Sequence, residues 1–498
     1  MATRQATLGE LGLTAKTGSA PGQGTRVSGL TVDSRAVRPG FLFAALPGTR
    51  VHGASFIPQV LAAGAAAILT DAAGARLAAE ALAGAPDVAL VLAEDPREAL
   101  ARAAALWFGA QPETMVAVTG TNGKTSVATF TRQIWEALGH AAINIGTTGI
   151  EGAWTAPSSH TTPDPITLQA MLAEAAAAGV THGAMEASSH GIDQRRLDGV
   201  RLVAGGFTNL TQDHLDYHGT MEAYFNAKAQ LFTRLLPEDG VAVVNLNGAR
   251  SDAIVETALA RGLRTLTVGN GEGADLRLLA HRYDATGQDL RFSWEGRTHL
   301  ARLNLIGGFQ SENVAVAAGL AIASGDDPEA VFATLPRLAG VRGRMQLAAT
   351  RANGAAVFVD YAHTPDAVET ALRALRPHVM GRLVIVLGAG GDRDRTKRPL
   401  MGAAAAAHAD LCFVTDDNPR SEDPALIRAA ILAACPGAIE VGDRAEAILR
   451  AVDALQPGDA LLVAGKGHET GQTIAGQTYP FDDVEQASLA VAALDGVI

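Results

Sequence analysis

Thr119-Gly120-Thr121-Asn122-Gly123-Lys124-Thr125 stands between an apolar run, Met115 to Val118, and a stretch of helical periodicity, Ser126 to Leu138. Few segments limit a fold so tightly. The apolar run predicts a buried strand, and Val127, Phe130, Ile134 and Leu138 recur on one face of a predicted amphipathic helix. Glycines let the backbone curl so that several N–H groups point at one anion, and the helix dipole favours negative charge there. Lys124 is placed to reach the β- and γ-phosphates of a nucleotide, and the Thr125 hydroxyl to ligate Mg²⁺. The plainer reading is an ordinary glycine-rich turn, and the strict pattern G-x-x-x-x-G-K-S/T fails because Val118 occupies its first glycine. The strand–loop–helix context decides for phosphate binding, and with it for an α/β fold.

At 498 residues the chain exceeds a single core and implies about three domains. With 48% hydrophobic and 18% charged residues it can bury large cores, which excludes a disordered protein. Forty basic against 52 acidic side chains give a net charge of −12, which argues against a nucleic-acid partner. Two cysteines, Cys412 and Cys435, can build neither a disulfide framework nor a cysteine-based zinc site, and they suit a reducing cytoplasm. The N-terminus shows no apolar signal region, and stretches such as Val314 to Ser324 fall short of the roughly 18 residues of a membrane span. A cytoplasmic, monomeric, multidomain protein acting on small molecules, with neither membrane nor nucleic acid as partner, is expected.

Short apolar runs at Leu30 to Val32, Phe41 to Leu46 and Ala65 to Leu69, with a helix over Ile57 to Ala63, predict a small α/β domain. Asp95-Pro96-Arg97 opens a helix to about Gly109, and Gln111-Pro112-Glu113 reads as a linker. Alternating strands and helices follow, with strands at Gly183 to Met185, Leu202 to Phe207 and Gly240 to Asn245. Beyond a Gly- and Arg-rich stretch, Leu335 to Arg344, strands are predicted at Ala355 to Val359, Leu383 to Leu387, Ala409 to Val414 and Ala460 to Val463, each separated from the next by helix. Three domains are expected: 1–108, a small α/β domain; 109–337, a central domain with a parallel sheet behind the phosphate loop; and 338–498, a Rossmann-like C-terminal domain.

Polar groups gather where predicted strands end. Glu186 follows one strand, and the segment Thr208 to His218, which contains His214, follows another. Carboxylate and imidazole at two strand ends can converge on one cation beside a triphosphate, although each alone is an ordinary surface turn. Lys228, within Glu222 to Phe232, reads from pattern alone as a solvated helix charge. Four clusters follow the four C-terminal strands: Asp360 to His363, Gly391 to Arg395, Asp416 to Arg420 and Gly465 to Glu469. Ligands of open parallel sheets bind beyond the carboxyl ends of strands, so four clusters at equivalent ends point to one shared crevice. Arginines beside amide and carboxylate groups suit a zwitterionic amino acid, because guanidinium grips carboxylate while glutamate holds ammonium.

The form G-T-N-G-K-T, with the later motifs in chain order, resembles the Mur ligase family, the ATP-dependent amide ligases of peptidoglycan synthesis. The resemblance covers nearly the whole length. It implies that Gly120, Thr121, Asn122, Gly123, Lys124, Thr125 and Ser126 cradle ATP, and that Glu186 and His214 hold Mg²⁺ alongside Thr125. The match of Tyr224 to Phe232 to the family's Y-F-x-A-K-x-x-L-F reverses the pattern reading of Lys228. It implies a lysine carbamylated by CO₂, able to ligate a second Mg²⁺, which makes Lys124, Lys228 and His214 the catalytic set. Gly307 to Asn313 resembles a motif that places Asn313 near the adenine, with Gln310 where the family carries Asn. Gly343-Arg344-Met345-Gln346 resembles G-R-x-E with Gln346 for Glu; Arg344 then faces the ATP phosphates and Asp360 the nucleoside.

Val32 to Arg35 with Gly40 to Ala44 resembles the family's uridine-nucleotide domain, so Val32, Ser34, Thr49, Arg50 and Val51 are expected at uracil and diphosphate. Thr161, Thr162, Ser188, Gln194 and Arg196 match positions that hold the muramoyl dipeptide. Asp417-Asn418-Pro419-Arg420 resembles the signature of the branch that adds meso-2,6-diaminopimelate to UDP-N-acetylmuramoyl-L-alanyl-D-glutamate. There Arg393, Asp417, Asn418, Pro419, Arg420, Gly465 and Glu469 would grip the amino acid. The lysine-adding branch differs at the arginine, which makes Arg420 the discriminating residue. A folylpolyglutamate synthase-like ligase would lack the uridine domain. A non-catalytic nucleotide switch would need neither Lys228 nor the four-cluster crevice.

Overall fold

The structure, a computed structural model, describes residues 4–16, 22–48, 51–158, 160–284 and 286–497. Its contacts divide the chain into two units. One comprises Met1–Thr119, His140–Gly205 and Asn226–Gly240; the other comprises Gly120–Gly139, Gly206–Phe225 and Val241–Ile498.

In the first unit, Gly29–Thr31, Phe41–Ala44, Ala67–Thr70 and Ala89–Leu92 form a parallel sheet in chain order. Both faces are covered, as a parallel sheet requires. Leu42, Leu69 and Val91 pack with Leu100, Ala104 and Trp107 of the helix Pro96–Phe108, while Phe43 and Ile68 pack with Ile57 and Val60 on the other face. That helix starts where the sequence says: the Asp95 side chain accepts from the N–H groups of Arg97 and Glu98, and proline fills the first turn. Gln111 is buried rather than a loose linker residue, and its side chain donates to Gln169 Oε1 and the Gly199 carbonyl. Beyond it Thr114–Thr119, His182–Glu186 and Ala142–Gly146 pair in parallel, and Gly149–Gly152 returns antiparallel to the last of them.

The second unit carries the helix Lys124–Ala137, packed against the long helix Phe309–Ala323. Its strands Val241–Asn245, Arg264–Gly269 and Leu276–Asp284 run parallel, but Gly287–Trp294 and Arg297–Leu303 add an antiparallel meander. This meander adds to the expected parallel sheet of the central region. The physical cause is legible afterwards. Leu290 and Phe292 alternate with exposed Asp289 and Arg291, a pattern for a sheet wet on one face, and Glu295-Gly296, both at positive φ, make a two-residue hairpin.

The C-terminal sheet has the order Gln346–Thr350, Ala356–Asp360, Ala460–Ala464, Leu383–Leu387, Leu411–Val414, Ile439–Glu440. All neighbours are parallel except the first pair. Apolar clusters cover both faces. The four strands with the polar clusters at their ends are therefore adjacent, and all four ends open on one edge.

Under that edge, Arg444 makes a bidentate pair with Asp483, 2.7 Å on each arm, both side chains essentially unexposed. Breaking a buried pair leaves an uncompensated charge worth about 3–5 kcal/mol. Asp483→Ala is expected to lower the melting temperature by roughly 10 °C, read by calorimetry. Among the described residues no helix is long and apolar enough to cross a membrane.

Candidate active site

The phosphate loop is locked by its neighbours in the second unit. The Asn122 N–H donates to Asn209 Oδ1 at 3.0 Å, Thr208 Oγ1 donates to the Asn122 carbonyl at 2.6 Å, and the Thr211 N–H donates to Thr121 Oγ1 at 3.0 Å. Gly123 sits at φ 88°, and a Cβ there would run into the Asn313 side chain, so backbone and Asn313 approach as closely as glycine permits. Lys124 is half-buried and arches over its own loop, donating to the carbonyls of Gly120 at 3.0 Å and Thr121 at 2.8 Å. Thr125 and Ser126 are buried in the first helical turn. Tyr224 OH lies 3.2 Å from Thr121 Oγ1, and burial pushes its pKa up. The glycine-rich curve, a lysine at the helix start and a threonine hydroxyl behind it form a donor set that fits a nucleotide phosphate. Thr208, Asn209 and Thr211 are site-building residues that sequence reasoning passed over in favour of His214.

Three further expectations meet at this loop. Asn313 donates to Gln310 Oε1 at 3.2 Å, so the glutamine that replaces asparagine keeps an amide partner for it. Arg344 Nη2 donates to Thr125 Oγ1 at 3.3 Å, and its guanidinium lies 4.5 Å over the Tyr361 ring. Asp360 accepts from the Met345 N–H at 2.7 Å; burial raises its pKa, and Arg344 opposes that. Gln346 Oε1 accepts from the Gly343 N–H at 2.8 Å, which ties the turn carrying Arg344. His214 has a left-handed backbone at φ 53° and faces Asp213 across 3.5 Å, its side chain about half exposed.

In the first unit the dipeptide candidates converge. Glu186, 2% exposed at the end of its strand, accepts from Thr147 N at 2.8 Å and Thr147 Oγ1 at 3.3 Å. Thr147 Oγ1 lies 3.1 Å from Thr161 Oγ1, and Thr162 Oγ1 donates to the Glu186 carbonyl and lies 3.0 Å from Ser188 Oγ. Arg196 donates to the Thr162 carbonyl and to Gln194 Oε1. Thr147 was missed because a lone threonine after a strand carries no pattern. Lys228, on the helix Met221–Gln230, is 1% exposed. That overturns the solvated-charge reading: a charge so deep requires a chemical use or a partner. Val32 and Val51 lie in loops of the four-stranded sheet and Ser34 opens the short helical turn Ser34–Ala36 beside it, apart from the Thr161–Arg196 cluster, and Val51 is exposed. Thr49 and Arg50 lie outside the described residues.

The C-terminal crevice gathers the rest. Asp417 and Asn418 are buried, and Asn418 Nδ2 donates to Glu469 Oε2 at 2.8 Å. Arg420 Nη1 donates to the Gly391 carbonyl at 2.9 Å, while Arg393 in the same loop is exposed. Gly465 has φ 122°, with the Asp417 carboxylate where its Cβ would stand. Asp392, Asn418 and Arg420 have left-handed φ values of 55°, 42° and 52°. Burial, with Asp417 nearby, raises the Glu469 pKa; burial, with Arg344 nearby, lowers His468 to about 4.

Residues 26–108 match the Mur ligase family catalytic domain, 118–321 the Mur ligase middle domain, and 343–467 the Mur ligase glutamate ligase domain. The chain belongs to the Mur ligase family. Among relatives of this family is a Bradyrhizobium diazoefficiens UDP-N-acetylmuramoyl-L-alanyl-D-glutamate–2,6-diaminopimelate ligase, 52% identical over 94% of this chain and 95% of its own length. The Caulobacter vibrioides protein of the same description is 52% identical over 94% and 96%. A solved structure of such a ligase matches 99% of both chains at 34% identity and a TM-score of 0.71. The three-domain α/β architecture of the Mur ligases is thus the fold of this protein, and the crevice residues from Asp392 to Gly465 lie within the match to the glutamate ligase domain.

Proposed function

We propose that this enzyme joins meso-2,6-diaminopimelate to UDP-N-acetylmuramoyl-L-alanyl-D-glutamate at the expense of ATP, as a cytoplasmic monomer. The observation that carries the reading is the Asn418–Glu469 pair beside Arg420, in a chain half identical to ligases of that description. The proposed division of labour is 1–108 for the uridine nucleotide, 109–337 for ATP and 338–498 for the amino acid. A carboxylate is a poor electrophile; ATP supplies the phosphoryl group that makes it an acyl phosphate, and Mg²⁺ neutralises charge on that group. The chain's own part is positioning. Lys124 leaves its loop carbonyls for phosphate oxygens, Thr162, Ser188 and Arg196 hold the dipeptide, and Glu469 and Arg420 orient the amine donor for attack. Thr125, Glu186, His214 and a carbamate on Lys228 are the metal ligands in this reading. A threonine hydroxyl and carboxylates supply the oxygen ligands that a hard cation takes.

Phosphate release with the UDP-muramoyl dipeptide, ATP and each amino acid in turn tests the reading. Diaminopimelate should stimulate strongly and lysine weakly, whereas stimulation by lysine alone would move the enzyme to the other branch. Lys228→Ala should be nearly inactive, with partial restoration by short carboxylates added in solution. Full activity of that variant would refute the carbamate.

A further inference from the structure

Lys466 has no part in the mechanism above, yet it is the deepest charge of the amino-acid crevice, 0% exposed two residues beyond the end of the apolar strand Ala460–Ala464. Its ammonium faces three acceptors: Asn418 Oδ1 at 3.1 Å, the Gly471 carbonyl at 2.7 Å and Asp417 Oδ1 at 3.4 Å. An ammonium has three protons and no lone pair, so all three are directed and none is left for a ligand. The Thr473 N–H donates to the same Asn418 Oδ1 at 2.8 Å. Two donors therefore occupy one end of the Asn418 amide, and its Nδ2 must face the other way, toward Glu469 Oε2 at 2.8 Å. The reversed amide would set two donors against an NH₂ group and a carbonyl oxygen against a carboxylate. The surroundings thus permit one orientation only.

We infer that Lys466 is a positioning residue for the amino-acid site, turning the Asn418 amide so that one N–H steadies Glu469 and the other is offered to the substrate. This rests on the amino-acid site proposed above. Glu469 then keeps its second oxygen for the substrate ammonium, and the free amide proton suits a substrate carboxylate. Without Lys466 the amide is free to rotate, and Asp417 loses the ammonium 3.4 Å from its Oδ1. The Asn418 backbone is already pinned, its N–H donating to Gln472 Oε1 at 3.0 Å, so the freedom gained is confined to the side chain.

The test compares wild type, Lys466→Met, Asn418→Asp and the double variant, with KM and kcat for each of the three substrates and a thermal melt. Lys466→Met should raise KM for diaminopimelate roughly ten- to a hundredfold, the usual cost of losing a residue that orients a ligand-binding group, with KM for ATP and the UDP substrate within about twofold. Asn418→Asp keeps an acceptor for Lys466 but sets a carboxylate against Glu469 where an N–H stood, so it should lose diaminopimelate affinity as severely. The double variant should be no worse than the poorer single one, since both remove the same oriented amide. An unchanged diaminopimelate KM in Lys466→Met overturns the inference, and so does an equal rise for all three substrates, which is the mark of a merely structural lysine. Should Lys466→Met not fold, Asn418→Asp decides, and a wild-type KM for diaminopimelate there overturns it. A wild-type enzyme that diaminopimelate fails to stimulate refutes the substrate reading instead, and Lys466 is then judged with the amino acid that does stimulate.

Discussion

Lys124→Ala is expected to lower kcat by about 10²–10³-fold, the usual loss when one preorganised donor to a charged transition state is removed. The lysine's partners explain why the loss should be confined to catalysis. Its ammonium rests on two carbonyls of its own loop, while the packing of that helix against its surroundings is carried by Val127, Phe130 and Ile134. Truncating Lys124 removes charge from the phosphate site and almost nothing from the core. A melt within about a degree or two of wild type, together with turnover at saturating substrate, is the relevant pair of measurements. Wild-type turnover would refute the phosphate-loop assignment.

The second large effect concerns choice of substrate. Diaminopimelate carries a second α-carboxylate that lysine lacks. Arg420 donates to the carbonyls of Gly391 and Asn418, at 2.9 Å and 3.4 Å, so its side chain is already held in place. A carboxylate arriving there gains a charge-assisted partner, whereas lysine leaves the guanidinium without one. A hydrogen bond to a charged group is worth about 1.5–3 kcal/mol, which at about 1.4 kcal/mol per tenfold is roughly ten- to a hundredfold in preference. Arg420→Ala should therefore cripple use of diaminopimelate and narrow the gap to lysine without creating an efficient lysine enzyme. The ratio of kcat/KM for the two amino acids, in wild type and variant, measures it. An unchanged ratio would mean that Arg420 does not read the distal carboxylate.

What the sequence made legible follows from which forces are local. Leu202–Phe207 and Leu383–Leu387 were bounded correctly from apolar runs, and the start of Pro96–Phe108 from its capping aspartate, because those signals lie within a few residues of their effect. The meander from Leu276 to Leu303 went unread since its alternation is short and competes with the stronger helical pattern that follows it. Pattern alone placed Lys228 on its helix but in solvent, as burial of one residue depends on elements distant in sequence, and only the family resemblance reversed that reading. Lys466 was read only as a member of a polar loop. The available signal was its place, two residues beyond five buried strand residues, where a charge has little room to reach water.

The three left-handed residues around the crevice, Asp392, Asn418 and Arg420, bear on how such a specificity could be transplanted. Each non-glycine residue in that conformation costs of order 1–3 kcal/mol unless its surroundings enforce it. Here the enforcement is external: Ser421 donates to Asp392, Gln472 and Thr473 clasp Asn418, and Arg420 exchanges main-chain hydrogen bonds with Thr473 and Ala475. The shape of the Asn418–Arg420 turn is therefore stored in the small hairpin Gly471–Ile474 and Gln477–Pro480. An engineer who copied only Asp417 to Arg420 into another scaffold would carry over the letters and lose the spelling; the hairpin has to travel with them.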